Sequence, residues 1–227
     1  MKTIIGVIMF LMMTVLSYAN DIYVTQSGNA LDLDITQDGE NNTVGNSTTA
    51  SASAGVTTIL NIDQIGDSNV ITYQINGATY TGVINLVGNS NNVDLNCDST
   101  GGNSSCGTAN AVINFTGNSN DIDLDIGQTS SANTADVDIV GQSGSDSNVV
   151  AATVDGNSAV LTITVNGDTN NYLIDIDGNG DSVGHTLIHS HTGGIADVDI
   201  IQSGTNDNMI TLTTSGDNAD IDISQTD

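Results

Sequence analysis

The chain has 227 residues and a net charge of −26, with 27 Asp and Glu against a single basic residue, Lys2. Such a surface repels nucleic acid and anionic lipid, whose recognition needs positive charge, and it offers no cation to clamp a phosphate. Nucleic-acid partners and nucleotide chemistry are excluded on that ground.

Lys2 precedes an apolar run from Ile4 to Leu16, and Ser17-Tyr18-Ala19 follows with the small-x-small form of a signal-peptidase site. Residues 1–19 read as an export signal. That leaves 20–227 as one secreted, cell-surface repeat domain with no Lys or Arg and no membrane span, since a span needs about 20 apolar residues. High acidity with few aromatics is also the composition of disordered chains. Against disorder, Ile, Val and Leu alternate strictly, and Pro is absent, as suits a backbone whose N–H groups are all needed in ladders.

From residue 20 onward the chain repeats itself. Runs of period two, "LDLDI" (31–35), "DIDLDI" (121–126), "VLTITV" (160–165), "DVDII" (197–201) and "DIDIS" (220–224), are separated by turns such as "GDSN" (66–69), "GNSN" (88–91 and 117–120) and "GDTN" (167–170). Gly recurs at 28 and 39, at 66, 77 and 88, at 156, 167 and 178, and at 204 and 216, with members of a group 11 or 12 residues apart. Period two bounded by Gly and Asn predicts strand–turn–strand. About seventeen short strands result, and two strands with two turns make a unit of about 22–23 residues that cannot bury its own apolar row. The expected fold is all-β: a β-solenoid with two strands per coil and about eight stacked coils, each rising ~4.8 Å. A β-sandwich has as many strands but gives no reason for the 11-residue spacing. Longer connections are expected around 49–56, 77–82, 97–111 and 127–135, all along one edge.

Gln26, Gln37, Gln64 and Gln202 each stand two residues after an Ile or Val of the core parity. They are therefore expected to point inward, and Gln142 is placed with them. A buried amide must be hydrogen-bonded or it costs several kcal/mol, so stacking amide on amide from coil to coil is the economical arrangement. Asn69, Asn91, Asn120, Asn148, Asn170 and Asn208 are expected to stack likewise beside the turns, or to cap them. Cys97 and Cys106 bracket "DSTGGNSS"; in an exported chain a lone close pair is most simply a disulfide.

The pattern Q-x-G-x-x-N between alternating strands, as in "NIDQIGDSNVITY" (61–73) and "DIIQSGTNDNMITL" (199–212), resembles the curlin repeat of curli-type fibre subunits. Leu86, Phe115, Val154, Val165 and Ile176 take the Gln position in other units, and the Cys pair and the lack of Lys and Arg depart from the pattern. The resemblance implies an extracellular amyloid-like fibril assembled from copies of the chain itself, used in adhesion and biofilm matrix.

Asp32/Asp34, Asp123/Asp125, Asp136/Asp138, Asp175/Asp177, Asp197/Asp199 and Asp220/Asp222 alternate with core residues and so must face solvent. Carboxylates one rung apart repel by ~0.9 kcal/mol in water, less than the roughly 1.5–3 kcal/mol from a buried Ile or Leu. The rows should keep fibrils dispersed, with dissolved divalent cations as candidate counter-ions. "DGNGDSVG" (177–184) is a single imperfect likeness to a Ca²⁺-binding turn. His185, His189 and His191 share a strand face, but only the last two are close enough to share a ligand. No constellation breaks the repeat to form a catalytic pocket, so neither enzyme activity nor a cofactor is expected. The expected function is a secreted, self-assembling structural subunit; the alternative is a non-polymerising solenoid serving as an adhesin or a virion or cell-surface fibre module.

Overall fold

A computed structural model describes residues 20–27, 29–39, 42–45, 51–66, 68–97, 106, 108–127, 134–142, 144–156, 158–177, 185–204 and 208–226; the expected export signal and most of 177–184 lie outside them. Among the described residues every regular element is a strand. These are β1 (Asn20–Ile22), β2 (Thr25–Ser27), β3 (Ala30–Asp38), β4 (Asn42–Val44), β5 (Ser51–Ile65) and β6 (Val70–Val87). There follow β7 (Asn92–Cys97), β8 (Thr108–Thr116), β9 (Asp121–Ile126), β10 (Thr134–Gly141), β11 (Val149–Asp155) and β12 (Ser158–Asn166). The last five are β13 (Asn170–Asp177), β14 (Thr186–Thr192), β15 (Ile195–Ser203), β16 (Met209–Ser215) and β17 (Asn218–Thr226).

Every ladder is parallel, and each strand pairs with the strand one coil away, which makes the fold a β-solenoid. One wall, wall A, stacks the first half of β6, then β7, β9, β11, β13, β15 and β17. The other, wall B, stacks β3, the second halves of β5 and β6, then β8, β10, β12, β14 and β16. Register gives the coil length directly: Thr57 lies over Thr79, 22 residues on, whereas Thr79 lies over Thr108, 29 residues on. The extra residues fall between β7 and β8, on the edge where wall A leads into wall B, and the β9–β10 and β13–β14 connections run along that same edge. Residues 51–56 and 77–82, expected in long connections, instead continue the strands β5 and β6 round this edge, Gly55 over Gly77.

The core is the inner row of each wall. In wall B, Leu60, Ile62, Ile84, Ile113, Ile139 and Ile163 are fully buried; in wall A, Ile71, Val93, Ile122, Val150, Tyr172 and Val198 occupy one column with no exposed surface. Each such side chain contributes roughly 1.5–3 kcal/mol, and no coil has enough of them alone. Ring-sized residues are accommodated by glycine on the same inner face. A Cβ at Gly82 would lie 2.5 Å from the Tyr80 hydroxyl, and one at Gly141 would lie 2.7 Å from the Phe115 ring and 2.8 Å from Val165. Both walls are lined by buried rows over about 6 turns, fewer than the about eight expected. The difference lies at the ends: β1, β2 and β4 are three residues long, and β16 and β17 bury no residue fully.

Candidate functional site

The most regular arrangement lies on the edge where wall B leads into wall A. Asn69, Asn91, Asn120, Asn148 and Asn170 form one buried column. The Asn91 amide donates to Asn120 Oδ1 (2.8 Å), Asn120 to Asn148 Oδ1 (2.9 Å), and Asn148 to Asn170 Oδ1 (2.9 Å). The same oxygens accept backbone N–H groups from the neighbouring coil, at 3.2, 3.0 and 3.0 Å. Each amide also closes its own turn by donating to the carbonyl three residues back, as Asn91 does to Gly88 (3.0 Å) and Asn170 to Gly167 (2.9 Å). The residue before the Asn is left-handed, with φ of 66° at Ser68, 63° at Ser90, 58° at Ser119, 57° at Ser147 and 59° at Thr169. That conformation is unfavourable for non-glycine residues, most of all for β-branched Thr169. It is held by turn-on-turn bonds such as Ser90 N–H to the Asn118 carbonyl (2.8 Å). In the Asn91 turn glycine is required two residues before the left-handed one, because a Cβ at Gly88 would sit 1.6 Å from the Gly66 carbonyl oxygen.

The glutamines do not form one row. Gln37 and Gln64 are buried in wall B, with Gln64 Nε2 donating to Gln37 Oε1 at 2.6 Å; Leu86, Phe115, Gly141 and Val165 continue their column. Gln202 is buried in wall A, above Ile176, and accepts from Gln225 Nε2 at 3.3 Å. The ladder is thus two separate pairs, on opposite walls and near opposite ends. Gln142 is exposed, because the preceding Gly141 takes the inward place over Phe115. The backbone of Gln26 lies in β2 opposite Ser53; its side chain is outside the described residues. Asn208 belongs to the other edge, where its Oδ1 accepts the His185 N–H (3.1 Å). Its parity suits a ladder, but counting strands places it after wall A rather than after wall B. Cys97 and Cys106 are joined as a buried disulfide.

His185, His189 and His191 share a face as expected, and that face is the core. His185 Nδ1 accepts the Ala159 N–H (3.2 Å). His191 Nδ1 lies 3.0 Å from the Tyr172 hydroxyl across the core, and the Tyr172 and His189 rings meet edge to face at 4.3 Å. Neither ring nitrogen of His189 has a hydrogen-bond partner. Burial, and then the neighbouring His191, lower its pKa from 6.5 to about 4. Burial also lowers that of His191, with Asp168 opposing. Among the described residues no three His, Cys, Asp or Glu side chains converge on a point that could hold a metal ion.

The carboxylate rows are discontinuous. Asp lies over Asp at Asp94–Asp123, Asp155–Asp177, Asp197–Asp220 and Asp199–Asp222. Elsewhere neutral residues intervene, as at Asp136 between Asn110 and Val160. Some carboxylates accept amide donors instead: Asn61 donates to Asp34 (2.8 Å), Asn85 to Asp63 (2.5 Å) and Asn96 to Asp125 (3.2 Å). Desolvation first, then Asp94 and Asp121, raise the pKa of Asp123. The walls also differ. In wall A, β9 alone presents Asp121, Asp123 and Asp125, and β15 and β17 present two each. In wall B, the strands β8, β12, β14 and β16 contain no acidic residue at all.

Fold and site together define a parallel two-walled β-solenoid stabilised by amide ladders. Comparison with family models, with curated proteins and with solved structures returns no match.

Proposed function

We propose that this chain is a secreted, curlin-like structural subunit whose copies add end to end into extracellular fibrils for surface adhesion and biofilm matrix. The observation that carries this reading is the exposure of the inner row of β17. Ile221 and Ile223 stand in the core columns above Val198 and Ile200, yet are 38% and 49% exposed where those below are 0% and 1%. A further coil placed there would bury both, contributing roughly 1.5–3 kcal/mol each, and would extend a parallel ladder already in register. On wall B, Leu31 and Leu33 of β3 at one end and Ile210 and Leu212 of β16 at the other are likewise only partly buried and offer matching surfaces. Export is supported by the apolar run at 4–16 and by the disulfide. Dissolved cations, divalent ones included, supply the neutralising charge that the chain itself lacks.

A second reading, a non-polymerising adhesin or fibre module, draws on Asp220 and Asp222. They already stack on Asp197 and Asp199 and oppose another acidic rung. The double substitution Ile221→Asp with Ile223→Asp separates the two. Loss of fibril growth with an unchanged circular dichroism spectrum supports end-to-end addition; growth at the wild-type rate contradicts it.

A further inference from the structure

We propose that the outer surface of wall B is where two copies of this chain pack side by side, each keeping its acidic wall A turned to solvent. This contact is lateral and does not depend on the end-to-end growth proposed above.

With Lys2 as the chain's only basic residue, no copy can offer a cation to another, so any contact that buries wall A sets carboxylates against carboxylates. Wall B carries Asp32, Asp34 and Asp38 on its first strand and Asp63, Asp136 and Asp138 further along, but β8, β12, β14 and β16 are free of acid. Its outward residues there are uncharged: Ser, Thr, Val, Ile and Met, with the amides Asn110, Asn114 and Asn166. Thr162, Ile188 and Thr211 stand in one column, with Ile188 39% exposed; in the next, Met209 is 51% exposed. A basic partner would be drawn to wall A. An uncharged sheet of this kind suits an uncharged partner surface, and a two-fold pairing of identical walls supplies one without further requirement. It also sets the Asp rows on the two far sides of the pair, where their mutual repulsion is least.

The size is sufficient. From β5 to β16, wall B stacks seven strands of seven to nine paired residues. At ~4.8 Å between strands and ~3.3 Å per residue this spans about 700 Å², close to the ~800 Å² per partner of a stable interface.

The test is sedimentation velocity of the purified chain over a range of concentration and NaCl. A reversible dimer is expected that tightens with salt, because salt screens the net negative charge while leaving the uncharged contact intact. Ile188→Asp with Thr211→Asp should weaken it by about 100-fold or more, since like charges placed across a contact cost several kcal/mol. Thr153→Asp with Leu173→Asp on wall A should leave it unchanged, and Asp136→Asn with Asp138→Asn, which removes charge from wall B, should tighten it. Circular dichroism of each variant reports that the solenoid is retained. A chain that stays monomeric in high salt, or a dimer disrupted equally by the wall A pair, overturns the proposal. Electron micrographs keep it distinct from fibril growth. Single-width filaments overturn lateral pairing while leaving end-to-end addition intact; dimers without filaments do the reverse.

Discussion

His189 occupies a position where neighbouring coils place an aliphatic side chain: Ile163 lies below it and Leu212 above. The imidazole is buried, neutral and without a hydrogen-bond partner. Its pKa is lowered from 6.5 to about 4 in the fold, so between those values the unfolded chain binds the proton and the folded chain does not. The stability is fully present above about pH 6.5 and is lost progressively as pH falls towards 4, by roughly 3 kcal/mol for a shift of this size. Asp123 acts in the opposite sense: its raised pKa makes the folded state the better proton acceptor, so its repulsion is relieved on acidification. His189→Leu should remove most of the acid loss and raise stability at neutral pH by about 1–3 kcal/mol, the cost of a buried unpaired polar group. Thermal melts from pH 4 to 8 measure both effects. An unaltered acid limb would mean that the loss comes from elsewhere in the chain. Parity in the sequence placed the three His on one face. Whether a given His faces core or solvent was decided by the apolar column it continues, and "TLIHSHT" offers both parities.

At the scale of the element, the turn is the unit that repeats most faithfully. Asn120 Oδ1 accepts from the Asn91 backbone and amide, while its own amide donates to Asn148 and Gly117. Asn120→Ala strands a buried N–H and a buried carbonyl oxygen, each worth about 1–3 kcal/mol. A loss of about 2–4 kcal/mol is expected in denaturant unfolding. Asn208→Ala, at the other edge with one described acceptor bond, should cost clearly less; equal losses would show that the column does not act as a ladder. Strand existence, strand number and inward parity were all readable from period two and the Gly–Asn turns. What parity does not encode is the wall. Consecutive strands fall on alternate walls, so Gln64 and Gln202, set in similar motifs, lie on opposite sides of the core. Gln142 stands three residues after Ile139, where Gln37, Gln64 and Gln202 stand two after their Ile, so unbroken alternation turns it outward and leaves the inward place over Phe115 to Gly141. Residues 49–56 and 77–82 suggested breaks because Gly55 and Gly77 interrupt alternation; these glycines instead carry β5 and β6 round the edge.

For the whole molecule, the acidic charge is denser on wall A than on wall B, where it falls on β3, β5 and β10, and it gathers in isolated Asp–Asp steps rather than in uninterrupted rows. This narrows what pH and salt should do. Screening by NaCl should accelerate assembly throughout, as the Debye length falls from ~10 Å at 0.1 M to ~3 Å at 1 M. Acidification relieves carboxylate repulsion only as Asp titrates, at about pH 4, whereas His189 already destabilises the coil below about pH 6.5, so the gain in assembly rate on acidification should be clearest in His189→Leu. A rate that is highest at neutral pH in low salt would show that carboxylate repulsion does not limit stacking. The central claim, that coils of one copy continue those of the next, is tested most directly by fibre diffraction from aligned assemblies of the chain. Continuous stacking predicts a sharp meridional reflection at ~4.7–4.8 Å, from strands lying across the fibre axis. A solution that holds only discrete rods one molecule long after prolonged incubation in high salt, or fibres lacking that meridional spacing, would contradict it.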